Sequence, residues 1–455
     1  MAKLLYICPF IPYPLNTGGN QAFFMMADHI RKQYELSVLL YVHHHQEYEY
    51  VQELKKLWPN VTFYLYDEET EKGIVQENPE LDAYAGMSWK DRKLCELYDY
   101  LGSSMHRKTI RRHRKYDLAA VSFIFEEDDF KPSDIVRNNS TLFMHTSDLT
   151  PAFCSYVQKV SAQGFDIVQV EFYEYLPLVY ILPEEVKKVF VHHELRFVRN
   201  ENELQLFKYP LPTDSIRFAE EKSAELAALA VYDAVVTLTP IDKNILEKYL
   251  PTEKVFVSPA ITQAASSEYK PFKAASELVF VGSGNHFPNA DGLVWFCTEV
   301  LPLLSTNEAQ APTVYITGQW KENIKNTLVQ HFPTIRFIGY VDDLQSFLNG
   351  KLSIVPIRIG SGMRMKILDS VFASAPIITT SKGCEGLPVE NGENCMIADS
   401  AEDFAQAISS VLSDVQLQER LATNAQNAKP EMLDEQHLFE LRKQVYDQLQ
   451  AGGSL

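Results

Sequence analysis

Between Pro356 and Asp369 the chain reads Pro-Ile-Arg-Ile-Gly-Ser-Gly-Met-Arg-Met-Lys-Ile-Leu-Asp, a set of residue types suited to holding an anion. Gly360 and Gly362 let a backbone turn tightly and come close to a ligand. A helix starting just beyond them would aim free N–H groups at that turn. Arg364 and Lys366 add two cations where the helix dipole disfavours positive charge, so an anion is needed to meet them. Two residues apart, they cannot share a face of one continuous helix. The helix must therefore begin late enough for Arg364 to swing from the loop. Asp369 could accept hydrogen bonds from hydroxyl groups, or pair with Lys366 at i,i+3. The expected occupant is phosphorylated and rich in hydroxyls, such as a sugar nucleotide.

Other candidates stand where strand patterns end. Glu171 closes Ile167-Val-Gln-Val170, and His192-His-Glu194 closes Lys188-Val-Phe-Val191. In a doubly wound sheet such strand ends open onto the ligand cleft, so at least one of these side chains is expected there. A histidine that only caps its loop is the alternative. The pair lacks the His-Glu-x-x-His spacing of a zinc hydrolase. Gly18-Gly19 follows the first strand pattern, and Gly282 and Gly284 flank Ser283 after another. Glycine there admits phosphates to the backbone, or merely closes a turn. Gly318 fits the same logic. Tyr340 and Val341, after Gly339, line a base pocket or pack in an ordinary loop. His43-His-His45 reads as a polar loop.

Parallel sheets are what must position these residues. Strands are expected at Lys3–Cys8, Leu36–Tyr41, Val61–Tyr66, Ile167–Val170, Lys188–Val191 and Ala234–Leu238 in the first half. The second half gives Leu278–Val281, Val314–Thr317, Ile335–Ile338, Leu352–Pro356, Ile377–Thr380 and Cys395–Ile397. Amphipathic helices alternate with them at Ala22–Ile30, Ala290–Leu304, Lys321–His331, Met363–Ala373 and Ala401–Leu412. Short, continuously apolar strands alternating with helices indicate sheets covered on both faces. The polar stretch Thr262–Tyr269 divides the chain into units 1–262 and 263–430. Residues 431–455 supply a closing helix and a loose tail, and residues 68–160 an elaboration of the first unit.

Composition agrees with two such units. The chain has 455 residues, 46% hydrophobic and 22% charged, as expected of a globular protein with two cores. A formal charge of −18 argues against wholesale nucleic-acid binding. No apolar run approaches the ~20 residues that span a bilayer. Met1–Cys8, followed at once by Pro9, Pro12 and Pro14, reads as a strand rather than a signal peptide. Six scattered cysteines without a Cys-x-x-Cys pair suit a reducing cytoplasm. The basic run Arg107-Lys-Thr-Ile-Arg-Arg-His-Arg-Lys115 is open to three readings: anionic lipid headgroups, a pyrophosphate-linked acceptor, or a solvated helix face.

With these segments in order, the sequence resembles the family 4-like glycosyltransferases of GT-B fold. The resemblance rests on Phe280-Val-Gly-Ser-Gly-Asn-His-Phe-Pro-Asn-Ala-Asp-Gly292, Phe337-Ile-Gly-Tyr-Val-Asp-Asp343 and Gly360–Asp369. Thr380-Ser-Lys-Gly-Cys-Glu-Gly-Leu387, Asn391-Gly-Glu-Asn394 and Pro12-Tyr-Pro-Leu-Asn-Thr-Gly-Gly19 complete it. It implies an α/β architecture of two Rossmann-like doubly wound domains facing a central cleft. It also implies a retaining transfer of sugar from a UDP- or GDP-sugar to the hydroxyl of a glycan or lipid-linked acceptor. The second domain would hold the nucleotide, and no metal or other cofactor is expected. Arg364 and Lys366 would stabilise the leaving diphosphate, with His192 and Glu171 acting from the first domain. Donor contacts would come from Gly18, Gly19, Gly282, Ser283, Tyr340, Val341, Ser361, Gly362, Met363 and Asp369. The implied setting is cytoplasmic synthesis of a surface polysaccharide or lipid-linked glycan, with weak membrane contact through 107–115 as an option.

Two departures stand out. Many relatives carry a glutamate at the glycine loop and a second eight residues on, where this chain has Ser361 and Asp369. Many also place an Arg and a Lys after the strand near Gly282, where this chain has Ser283 and Asn289. The diphosphate charge then falls on Arg364 and Lys366. An epimerase or hydrolase of the same fold, or a non-catalytic nucleotide-sugar-binding module, are the competing readings.

Overall fold

The computed structural model describes residues 2–77, 81, 88, 149–206, 212–262, 268–284, 286–304, 311–428 and 434–451. The basic run 107–115 and most of the elaboration before Pro151 lie outside them.

In Lys3–Cys8 (β1) every side chain after Lys3 is buried, because helices cover both faces of the sheet it belongs to. That sheet continues with Glu35–Tyr41 (β2), Thr62–Tyr66 (β3), Ile167–Glu171 (β4), Lys187–His192 (β5), Ala234–Thr237 (β6) and Val255–Val257 (β7). Its order is β3-β2-β1-β4-β5-β6-β7, and every pairing is parallel. The second sheet holds Leu278–Phe280 (β8), Val314–Thr317 (β9), Ile335–Gly339 (β10), Leu352–Val355 (β11), Ile377–Thr379 (β12) and Met396–Ile397 (β13). Its order, β10-β9-β8-β11-β12-β13, repeats the pattern, again all parallel.

In both sheets the winding reverses beside the first strand, between β1 and β4 and between β8 and β11. The crevice outside the strand ends at such a reversal is where open α/β sheets receive ligands. Seven helices carry or support residues at these strand ends: Gly18–Ile30 (α1), Arg196–Gln205 (α2), Pro212–Val231 (α3), Pro240–Leu246 (α4), Phe287–Trp295 (α5), Met365–Phe372 (α6) and Glu435–Gln450 (α7).

Several boundaries differ from expectation for identifiable reasons. Helix α1 begins at Gly18, four residues before the apolar run, because Thr17 caps it by accepting from Asn20 N–H. The helix expected over Ala290–Leu304 is α-helical only to Trp295. It continues as a π-turn and then a 3₁₀ turn at Leu301–Leu304, which contains Pro302. Val255–Val257, too short to stand out as a pattern, pairs as the edge strand.

Helix α7 crosses back to the first lobe. Leu438, Phe439, Val445, Tyr446 and Leu449 join the cluster formed by Tyr6, Phe23, Met26 and Ile30. The last helix is thus part of the core beneath β1.

Candidate active site between the lobes

Arg364 caps α6 and Met365 opens it, the late start that the Arg364–Lys366 spacing required. Gly360 (φ 120°) and Gly362 (φ 75°) both take backbone conformations that favour glycine. A Cβ on Gly362 would sit 2.0 Å from the carbonyl oxygen of His193, in the other lobe. The loop is pressed against the first lobe, and three of its polar atoms find partners there. Gly360 N–H donates to Asn202 Oδ1 at 3.2 Å, and Gly362 N–H to Asp242 Oδ2 at 3.0 Å. Ser361 Oγ accepts Leu195 N–H at 2.6 Å.

This corrects three donor-contact expectations. Ser361, 2% exposed, and the N–H of Gly362 tie the lobes together, because first-lobe partners already occupy them. Met363 turns its side chain into the first lobe's hydrophobic cluster instead.

The two cations remain available to a ligand. Arg364 lies against the loop, with Nη1 donating to Ser361 O and Gly362 O. Its Nε and Nη2 are buried without a hydrogen-bond partner among the described residues. Burial works against the guanidinium charge, while Glu194, Glu385 and Asp242 support it. Lys366 Nζ donates to Asn289 Oδ1 at 2.6 Å and lies 5.1 Å from the Phe280 ring centroid. Burial, reinforced by Arg364, pushes the Lys366 ammonium down to about 7, against the pull of Asp369. Burial likewise pushes Asp369 up to about 7, with Lys366 opposing. The Asp369 carboxylate has no hydrogen-bond partner among the described residues.

Three neighbouring strand ends form the floor of the second lobe. Gly318 (φ 86°) packs so close that a Cβ there would stand 2.6 Å from Gly282 O, and its N–H donates to Gly339 O. Asn289 Nδ2 donates to Ser283 O at 2.9 Å. Asn289 thus bridges the Gly282–Gly284 turn to Lys366. Trp320, which no motif in the sequence marks, donates from Nε1 to Gly282 O at 2.8 Å and covers Gly284. Tyr340 is exposed and Val341 half-buried beyond Gly339.

From the first lobe, Gly18 brings the start of α1 within 3.3 Å of Met365 Cγ, measured from an added Cβ. Two helix N-termini therefore approach each other across the gap. Gly19 packs on Phe172, whose φ of 67° is unusual for a bulky residue. Phe172 stacks on His193 with ring centroids 3.9 Å apart and planes within 5°. Glu171 Oε2 lies 2.8 Å from His193 Nε2.

The expectation for His192 is corrected. Its side chain is fully enclosed beneath α3, with Nε2 2.7 Å from Glu225 Oε1, and Glu225 also caps α2 through Arg196 N–H and Phe197 N–H. Alternation at the end of β5 sends one histidine inward and leaves its neighbour, His193, at the cleft. Glu171 reaches the cleft only through His193, being itself 2% exposed.

Glu194 also borders the glycine loop, with Oε1 2.9 Å from where a Cβ on Gly360 would stand. Burial would raise it, but Arg199 at 3.1 Å, with His286, Arg196 and Arg364, holds it down at about 2. His286 meets the same group from the second lobe. Enclosure, with Arg199, Lys366 and Arg364, pushes its imidazole down to about 3 although Glu194 opposes. Arg199 and Glu203 pair on α2, a polar helix that is largely buried. Glu194 stands among the strand-end candidates; that charge-rich segment between two apolar strands is the available signal for Arg199 and Asn202. His43 stacks on Tyr41 in its loop, and no group of three His, Cys, Asp or Glu side chains suited to a metal occurs among the described residues.

These features define a two-lobed α/β protein with a cationic interlobe site. Residues 275–414 match the family model described as glycosyl transferases group 1, which bears out the resemblance read from the sequence. A protein of Klebsiella pneumoniae described as an uncharacterized 44.6 kDa protein in the cps region is 27% identical over 170 residues. That match covers 36% of this chain and 44% of the relative, so the chain's match spans less than half of that protein.

Among solved structures, a TarM variant of S. aureus, in complex with fondaparinux, α-GlcNAc-glycerol and UDP, aligns at TM-score 0.63 and 12% identity over 98% of this chain and 100% of its own. Sucrose-phosphate synthase of Thermosynechococcus elongatus aligns at 0.64 and 12% over the whole of both chains. HepE of Anabaena, in complex with UDP and glucose, aligns at 0.59 and 11%, also over both whole chains. The fold is GT-B, two Rossmann-like doubly wound domains facing a central cleft. No helix among the described residues is long and apolar enough to cross a membrane.

Proposed function

We propose that this protein is a retaining glycosyltransferase that moves a sugar from a nucleoside diphosphate sugar to an acceptor hydroxyl. The observation that carries the reading is Arg364, a largely enclosed guanidinium between the lobes with two nitrogens unpartnered. A buried, unsatisfied cation is costly unless a ligand completes it, and Lys366 stands two residues away. The match of residues 275–414 to the glycosyl transferases group 1 model supports this. So does the presence of UDP in the TarM and HepE structures.

In this reading the diphosphate lies between Arg364, Lys366 and the start of α6, with the start of α1 opposite. The bond from the anomeric carbon to the phosphate oxygen breaks, and charge grows on that oxygen as the two cations meet it. Preorganised donors of this kind are each worth roughly 2.7–4 kcal/mol. The acceptor oxygen bonds the anomeric carbon from the same face, and its proton passes to the departing phosphate. The sugar then keeps its configuration without a side-chain nucleophile. In this reading His193 and Asp369 accept from sugar or ribose hydroxyls. No metal ion enters this scheme.

A glycan or lipid-linked acceptor on the cytoplasmic side is part of the proposal. The Klebsiella relative's cps region favours polysaccharide synthesis. Weak membrane contact through 107–115 belongs to the same reading.

The test is a thermal-shift screen of nucleotide sugars, followed by transfer from the best binder to a lipid-extract acceptor pool. A bound donor should raise the melting point by mass action, and the product should keep the donor's anomeric configuration. Acceptor-independent conversion of the donor would point to an epimerase or hydrolase. Tight binding with no transfer would point to a binding module.

A further inference from the structure

Strand β4 carries two polar side chains on one face of an otherwise apolar run, Gln169 and Glu171, 0% and 2% exposed. Buried polar groups are costly unless each finds a partner. These are satisfied by one continuous chain of hydrogen bonds from the last helix to the cleft. Tyr6 OH and Tyr446 OH lie 2.5 Å apart. Tyr446 OH donates to Gln169 Oε1. Gln169 Nε2 donates to Glu171 Oε1 at 2.6 Å, and Glu171 Oε2 is 2.8 Å from His193 Nε2.

The chemistry of the members gives the chain a direction. Gln169 turns its oxygen to the tyrosine and its amide N–H to the carboxylate. An ionised carboxylate can only accept. His193 must therefore carry a proton on Nε2, which leaves Nδ1 as the acceptor whenever the ring is neutral. Arg442, one turn before Tyr446 on α7 and 2% exposed, supplies the opposite charge. Its Nε donates to Ser258 Oγ at 3.1 Å, and its field acts on Tyr446, Tyr6 and Glu171. Only the far end of the chain meets the cleft, where the His193 side chain is 15% exposed. There the ring is clamped by Phe172, and its carbonyl abuts Gly362.

We propose that Tyr446 is a positioning residue for the interlobe site: through Gln169 and Glu171 it holds His193 in the Nε2–H form and presents Nδ1 to ligand hydroxyl groups. A helix some four hundred residues from β1 in sequence thus sets the hydrogen-bonding character of a cleft residue. Its catalytic consequence rests on the transferase reading; the tautomer itself does not.

Nitrogen-15 spectra of histidine-labelled full-length protein read the tautomer without substrate. The wild type should show His193 protonated on Nε2. In Glu171→Gln, Gln169 still donates to the new side chain's oxygen, so its NH₂ must face His193 and the proton should move to Nδ1. Tyr446→Phe should lower kcat about fivefold, in the range of coupling within one network, and should have no further effect in a His193→Ala background. Gln169→Met, which cuts the link between Tyr446 and Glu171, gives the same readout should Tyr446→Phe fail to fold. A wild-type His193 protonated on Nδ1, or an equal kcat loss with and without His193, would overturn the proposal. A protein that transfers nothing yet shows the Nε2–H form and its shift in Glu171→Gln keeps the relay and loses only the transferase reading.

Discussion

Ser361 Oγ, in the second lobe, accepts the N–H of Leu195, in the first, at 2.6 Å. Both groups are buried, and the bond sits beside two more that cross the same gap, Asn202 to Gly360 and Asp242 to Gly362. The loop that reads as a phosphate cradle is therefore also the seam that holds the lobes closed. In the proposed reading it leaves Arg364 and Lys366 to meet the ligand.

Gly362→Ala tests the seam. A non-glycine residue at φ 75° costs roughly 1–2 kcal/mol, and its Cβ would strike the His193 carbonyl oxygen, 2.0 Å away. Neither backbone can yield far, so the lobes must separate. We expect a larger radius of gyration by small-angle scattering, at least about tenfold lower turnover, and an unchanged far-ultraviolet spectrum. Wild-type radius and turnover would show that the seam is dispensable.

On the proposed function, Lys366 should make diphosphate binding a proton-linked event. Held at about 7 by burial and Arg364, the amine is largely neutral at pH 8 in the free protein. A bound diphosphate stabilises the ammonium, so binding should take up a proton. Calorimetry at pH 8 in buffers of different ionisation enthalpy should give a positive uptake that disappears in Lys366→Met. Zero uptake in the wild type would place the diphosphate elsewhere.

Asp369 should cost stability above neutral pH. Its folded value, raised to about 7 from 3.8, means the folded state holds the proton more tightly than the unfolded chain. The cost is absent below about pH 4 and complete above about pH 7, so stability falls as pH rises through that window. Asp369→Asn should raise stability by on the order of 2 kcal/mol at pH 8, after discounting for partial solvent access. It should change little at pH 3.5. Equal effects at both pH values would mean that the carboxyl is not held up.

Much of this was legible in the sequence, for physical reasons. β1 after Lys3 and β8 are unbroken apolar runs because both sheet faces are covered, and such runs are visible without tertiary knowledge. That α6 leaves Arg364 in the loop followed from the spacing of the two cations, although the apolar pattern alone runs from Met363 and the helix opens at Met365. Choosing His192 over His193 was a different matter. The sequence shows two adjacent histidines, and only Glu225, brought in by α3, decides which one turns inward. The ties from Asn202, Asp242 and Leu195 are equally tertiary, since each meets the glycine loop across more than a hundred residues. Tyr446 looked like one more position of an amphipathic tail because nothing local marks its hydroxyl as buried beside Gln169.

The central claim is that Arg364 and Lys366 grip the diphosphate of an activated sugar. The direct measurement is calorimetric titration of UDP and GDP into the wild type, Arg364→Ala, Lys366→Ala and Lys321→Ala, the last an exposed lysine on the second lobe. We predict that one nucleotide binds the wild type and Lys321→Ala alike, and each cleft variant at least about tenfold more weakly, the loss of one charge-assisted contact. Binding of equal strength in all four proteins would contradict the claim.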